Sequence, residues 1–141
     1  MFRPEEIGAK IPEWGFSFLS KKEVEEYFNW FKQAIPNRLQ HLKSRAKIEP
    51  FDFSRESLLS ACQWFDQNVT TRERSPEEIE QIYASIEPKF RDVVKLESYD
   101  LDIDSHTLVI EMGIYFAECI KRNVPDLFWY YRLGSKKHIV Y

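Results

Sequence analysis

Glycine is scarce in this chain, four residues in 141, which leaves little material for the backbone cradles that hold phosphates. No P-loop, dinucleotide fingerprint, GxSxG or HExxH occurs, so the usual signatures of nucleotide-dependent enzymes, α/β-hydrolases and zinc proteases are missing. Cysteine is scarcer still. Cys62 and Cys119 are the whole complement, with no CxxC and no histidine beside either. A disulfide framework, a redox pair and a metal site therefore lack support. Each cysteine sits among apolar neighbours in a predicted helix and reads as a small buried thiol. No cofactor is expected.

Long apolar runs are also absent. Nothing approaches the roughly 20 residues of a membrane span, and the start, MFRPEEIGAK, lacks the apolar core of a signal peptide. No membrane contact is expected, and a soluble, reducing, cytoplasmic setting fits. Basic residues never form a run that could track a phosphate backbone, and net charge is −3, so nucleic acid is not an expected partner.

Aromatic residues, by contrast, are abundant: eleven Phe, seven Tyr and four Trp. Each brings a large burial area, so a compact domain follows easily from a chain of this length. The stretch Ser105–Asn123 is the expected centre. At 100° per residue, Leu108, Val109, Met112, Tyr115, Phe116, Cys119 and Ile120 form one broad apolar face, and Ile110, Ile114 and Ala117 make most of the other side apolar too. Glu111, Glu118 and Arg122 leave a narrow charged stripe beside Lys121. A helix this apolar is expected to pack on several sides.

Other helices carry local signals. Ser20-Lys-Lys-Glu23 is a capping box, and Val24, Tyr27, Phe28, Phe31 and Ile35 follow at helical spacing. Pro36 is expected to end or kink this helix, with a second piece running to about Lys47. Ser54 or Asp52 caps a helix reaching about Asn68, with Leu58, Leu59, Ala61, Cys62, Trp64 and Phe65 on its buried side. Thr70–Arg74 reads as a polar loop. Ser75-Pro76-Glu77-Glu78 opens another helix, with Ile79, Ile82, Tyr83 and Ile86 as its stripe. Lys89–Asp104 reads as a short helix and then a loop. Leu127–Leu133 and His138–Tyr141, separated by Gly134-Ser135, read as two strands. The expected fold is mainly α: a single domain, 1–141, with an irregular arm at 1–19, a helical core at 20–123 and a C-terminal β-hairpin at 127–141.

Three constellations bear on chemistry. Asp100-x-Asp102-x-Asp104, with Glu111 at the twelfth position, has the ligand spacing of a calcium loop, but Ser105 stands where that loop needs glycine. Helix capping by Asp102, Asp104 and Ser105 is the simpler account. His41, His106 and His138 are scattered. Along the central helix, Glu111, Tyr115, Glu118 and Arg122 recur at four-, three- and four-residue steps. A solvated stripe with a Glu118–Arg122 pair is the ordinary reading. Trp129, Tyr130 and Tyr131, on a strand, would turn at least one aromatic ring toward solvent or a partner.

Phe51-Asp-Phe-Ser-Arg-Glu-Ser-Leu58, followed by Trp64-Phe65, resembles a phrase of a family of small uncharacterised bacterial proteins, Leu-Asp-Tyr-Ser-Pro-Glu-Ser-Leu with a following Trp. Gly113-Ile-Tyr-Phe-Ala-Glu118 and Arg122-Asn123 resemble its second phrase, in which glycine commonly stands where Ala117 is here. The resemblance spans much of residues 20–133 and carries no catalytic residues. Some members are similar to immunity proteins of toxin systems, which implies a partner-binding role. The function expected is thus a non-catalytic acidic protein-binding module, with a toxin domain as its partner in the immunity form. Glu111, Tyr115, Glu118, Arg122, Trp129 and Tyr131 are its candidate contact residues. The alternative is a small enzyme or ligand-binding protein with a pocket lined by Glu111, Tyr115 and Glu118. Oligomeric state is left open.

Overall fold

The computed structural model describes residues 19–131. Residues 1–18 of the expected arm and the strand expected at His138–Tyr141 lie outside them. Helix α1, Lys21–Ala46, starts where the capping box placed it: Ser20 Oγ accepts from the Glu23 amide at 3.3 Å, and the Glu23 carboxylate accepts from the Ser20 amide at 2.8 Å. Pro36 neither ends α1 nor divides it into two helices. Pro36 is exposed, as is Lys32, whose carbonyl loses its amide partner, while Ile35 and Leu42 bury the opposite side. Burial of that side outweighs one lost hydrogen bond. Lys47, in the left-handed region at φ 51°, closes α1 with a bond from its amide to the Lys43 carbonyl at 3.1 Å.

Helix α2, Arg55–Asn68, is capped by Ser54, whose hydroxyl accepts from the Ser57 amide at 3.1 Å. Asp52 accepts from the Ser54 amide at 3.0 Å, and its carboxyl lies below the usual range because Ser54 donates to it. Cys62 is exposed on α2, contrary to expectation, because the helix turns Ser57 and Ala61 inward instead. The polar stretch expected as a loop forms strand β1, Thr71–Glu73. Helix α3, Pro76–Ser85, follows its capping box and buries no residue. A single 3₁₀ turn at Pro88–Phe90 replaces the short helix expected there. Strand β2, Tyr99–Leu101, then pairs antiparallel with β1 in the register Thr71↔Leu101, Arg72↔Asp100 and Glu73↔Tyr99.

Asp102 caps the central helix α4, Ile103–Asn123, by accepting from the Ser105 amide at 2.8 Å. It also accepts from the Thr70 hydroxyl, and that bond above all lowers its carboxyl. The Thr70 amide donates to Ser105 Oγ at 2.8 Å, so the sheet is fastened to the first turn of α4. The protein is mainly helical with one small antiparallel sheet. Leu127–Tyr131, after α4, makes no strand ladder among the described residues. The core lies where α1 and α2 meet α4. Leu42, Ile48, Ala61, Leu108, Met112, Tyr115 and Cys119 form it, with Phe51, Phe53, Trp64 and Phe65 packed against it. No helix among the described residues is long and apolar enough to cross a membrane.

Candidate functional site

Helix α4 buries one side of its expected apolar face, Leu108, Met112, Tyr115 and Cys119, together with the carboxylates beside it, and turns the other side outward. Glu111 is 0% exposed and Glu118 5%, whereas Val109 is 43%, Phe116 52% and Ile120 37% exposed. The carboxylates expected on a solvated stripe are internal. Three of the seven residues of the expected apolar face are open. The reason is the placement of α1 and α2, which meet α4 along Leu108, Met112, Tyr115 and Cys119 and enclose the carboxylate positions beside them.

Burying a carboxylate costs several kcal/mol unless partners replace water. Both have partners from distant sequence. Glu111 Oε1 meets His41 Nδ1 at 2.7 Å and Arg38 Nη1 at 3.7 Å, both from α1, while its Oε2 is buried without a hydrogen-bond partner. Glu118 Oε1 accepts from Lys121 Nζ at 2.7 Å and from the Trp129 indole N–H at 2.6 Å. Lys121, not Arg122, is thus its ion-pair partner. Burial pushes the Glu118 carboxyl up, but the bonds from Lys121 and Trp129, with the charges of Lys121 and Arg122, outweigh it and hold the group below its ordinary value.

Tyr115 is fully buried, and its hydroxyl lies 2.7 Å from Ser57 Oγ. Its ring stacks on Phe51 with centroids 4.4 Å apart and leans on Phe53 at 5.1 Å. Burial raises its phenol, as it raises the neighbouring Cys119 thiol. Phe53 adopts φ 63°, a strained conformation for a bulky residue, and the Arg122 guanidinium lies 3.5 Å from its ring centroid. Trp129 packs edge-on against Phe31 at 5.2 Å, and Tyr131 against Phe28 at 5.1 Å. The six candidate residues therefore separate. Glu118 and Trp129 are bonded to each other; Tyr115 and Arg122 share Phe53; Glu111 and Tyr131 each reach a different part of α1.

Glu111, Tyr115 and Glu118 do not line the cleft beside them. That cleft, of about 220 Å³, is walled by Phe116, Ala117, Ile120, Lys121, Leu127, Phe128 and Trp129. It forms where the segment after α4 turns back, held by the Trp129–Glu118 bond. Phe128 is 74% and Tyr130 70% exposed there, and Val109 and Ile110 extend the apolar edge up the helix. Reasoning from sequence missed this strip, although its signal was present: α4 is apolar on more sides than the remaining helices can cover.

His106 lies 3.6 Å from Asp100, and Asp100 also pairs with Arg74 at 3.4 Å. Among the described residues, no three of His, Cys, Asp or Glu stand together as a metal site. What the arrangement offers chemically is one half-exposed imidazole, His41, fixed by a buried carboxylate, and one continuous apolar surface. The chain matches no protein-family model, no curated protein and no solved structure.

Proposed function

We propose that this protein is a non-catalytic acidic protein-binding module, and that it binds through the apolar edge of α4 and the cleft at its C-terminal end. The observation that carries this reading is the exposure of Val109, Ile110, Phe116, Ile120, Leu127 and Phe128 on one contiguous surface. Together their uncovered parts amount to roughly 600 Å², the upper end of the largest apolar patch on an ordinary monomer, and such patches mark binding sites. Aromatic residues framing a cleft are the usual anchors of such sites. In the immunity form of this reading, which the family resemblance implies, the bound protein is a toxin domain. The two free thiols, Cys62 and Cys119, support the cytoplasmic setting that goes with it.

A photoreactive side chain placed at Ile110 or Phe128 in living cells tests the proposal. The expected result is a discrete protein adduct from both positions that disappears with Ile120→Glu and is not formed from Leu59, an exposed apolar residue on α2. Equal labelling from all three positions, or none, contradicts it.

A further inference from the structure

We infer that the occupant of the α4 edge is a second copy of this chain, packed about a two-fold axis near Gly113. This rests on the reading of that edge as a binding surface and names as its partner this chain itself, in place of a toxin domain. Three observations carry it.

The first is area. The roughly 600 Å² that one copy leaves open on this edge approaches the ~800 Å² that each partner contributes to a standard interface. A pair burying it on both sides removes on the order of 1,200 Å² from water, the lower end of the range of specific interfaces and above most lattice contacts.

The second is charge. The outward positions Val109, Ile110, Gly113, Phe116, Ala117 and Ile120 include no ionisable group, although the chain carries net −3. A basic partner would be selected by carboxylates, and this strip has none. Glu111 and Glu118 on the same helix face inward, and Lys121 at the edge is already paired with Glu118. A surface without charge is one that two copies of an acidic protein can bring together without repulsion. It is also self-complementary in kind, as a two-fold contact requires.

The third is shape. A Cβ added at Gly113 would meet nothing within 4 Å, so the middle of the strip is bare backbone open to solvent. A neighbouring helix can approach closely there, with the exposed Phe116 ring one turn further along α4. Within the monomer, glycine at this exposed helical position brings only its cost to the helix.

The test is sedimentation of the full chain over a wide concentration range, with two variants. Wild type is expected to pass from monomer to dimer, with a thermal midpoint that rises with protein concentration. Phe116→Glu is expected to raise the dimer dissociation constant by at least about 30-fold, the loss a hot-spot residue carries. Gly113→Gln should do the same while leaving the dilute monomer more stable, since glutamine is the better helix former. That second variant separates a lost interface from a lost fold. A dimer that survives both substitutions overturns the inference. So does a wild type that stays monomeric throughout. If that monomer still forms adducts from Phe128 with another protein, the inference fails and the binding surface stands. If its adducts fall on residues 1–18 or 132–141 of the same chain, both fail.

Discussion

The Trp129 indole N–H donates to Glu118 Oε1 at 2.6 Å, across eleven residues and the turn that follows α4. This bond joins the two halves of the structure's main asymmetry. It supplies one of the two donors that make burial of Glu118 tolerable, and it holds Leu127 and Phe128 beside α4, where they complete the cleft. An internal carboxylate thus shapes an external apolar surface.

Trp129→Phe keeps the ring against Phe31 and removes only the donor. Hydrogen bonds to charged groups contribute about 1.5–3 kcal/mol, so a loss near 2 kcal/mol is expected in chemical denaturation. Binding at the α4 edge should weaken with it, because the cleft wall is released. Unchanged stability would show that the bond holds nothing in place.

Acid should loosen the same contact. The folded Glu118 carboxyl lies below its ordinary value of 4.5, so its contribution is complete above that pH and is lost as pH falls through the lower folded value. Denaturation midpoints measured downward from neutral pH should therefore drop more steeply below about 4.5 in wild type than in Glu118→Gln. Parallel profiles would contradict the assignment.

Glu111 and His41 should respond unequally to substitution. His41→Ala leaves a fully buried carboxylate with only Arg38, at 3.7 Å, and should cost about 3 kcal/mol. Glu111→Leu removes the buried charge together with its unpartnered Oε2, and leaves His41 and Arg38, both partly exposed, to water. It should stay within about 1 kcal/mol of wild type. The reverse order in urea titrations would mean that the pair is stabilising in its own right.

The hydroxyls of Ser57 and Tyr115 lie 2.7 Å apart in the core, and Ser57 Oγ donates to the Ser54 carbonyl at 3.0 Å, so Tyr115 donates to Ser57. Ser57→Ala takes the acceptor from the buried Tyr115 hydroxyl and should cost about 1–2 kcal/mol; Tyr115→Phe leaves Ser57 bonded to Ser54 and should cost less, and the double variant less than the two together. A fully additive cycle would show that the two hydroxyls are not coupled.

Local features of the fold were legible in the sequence. The capping boxes at Ser20–Glu23 and Ser75–Glu78 and the Ser54 cap all form, because their partners lie within one turn of each other. The helix through Pro36 was not legible, since the burial of Ile35 and Leu42 that overrides the proline is tertiary. Neither was the β1–β2 pair. Thr71-Arg-Glu73 has no apolar alternation, and its partner strand is supplied by Tyr99–Leu101. For the candidate site, the central helix was legible but its orientation was not: Val109, Phe116 and Ile120 read as part of its packed face, yet they are exposed. An α4 apolar on nearly every side does not declare which edge is buried. The partners that draw Glu111 inward come from α1, 70 residues away for His41. The open strip follows from that choice.

The most direct test is the chemical accessibility of the α4 edge at Val109, which is exposed and is not an aromatic anchor. Alkylation of Val109→Cys, in a Cys62→Ser background, is compared between dilute purified protein and intact cells, with Leu59→Cys as reference. Position 109 is expected to be readily alkylated in dilute solution and strongly protected in cells, while position 59 reacts alike in both. Equal reactivity of position 109 in the two settings would mean that nothing covers the α4 edge, and the proposed function would fall with it.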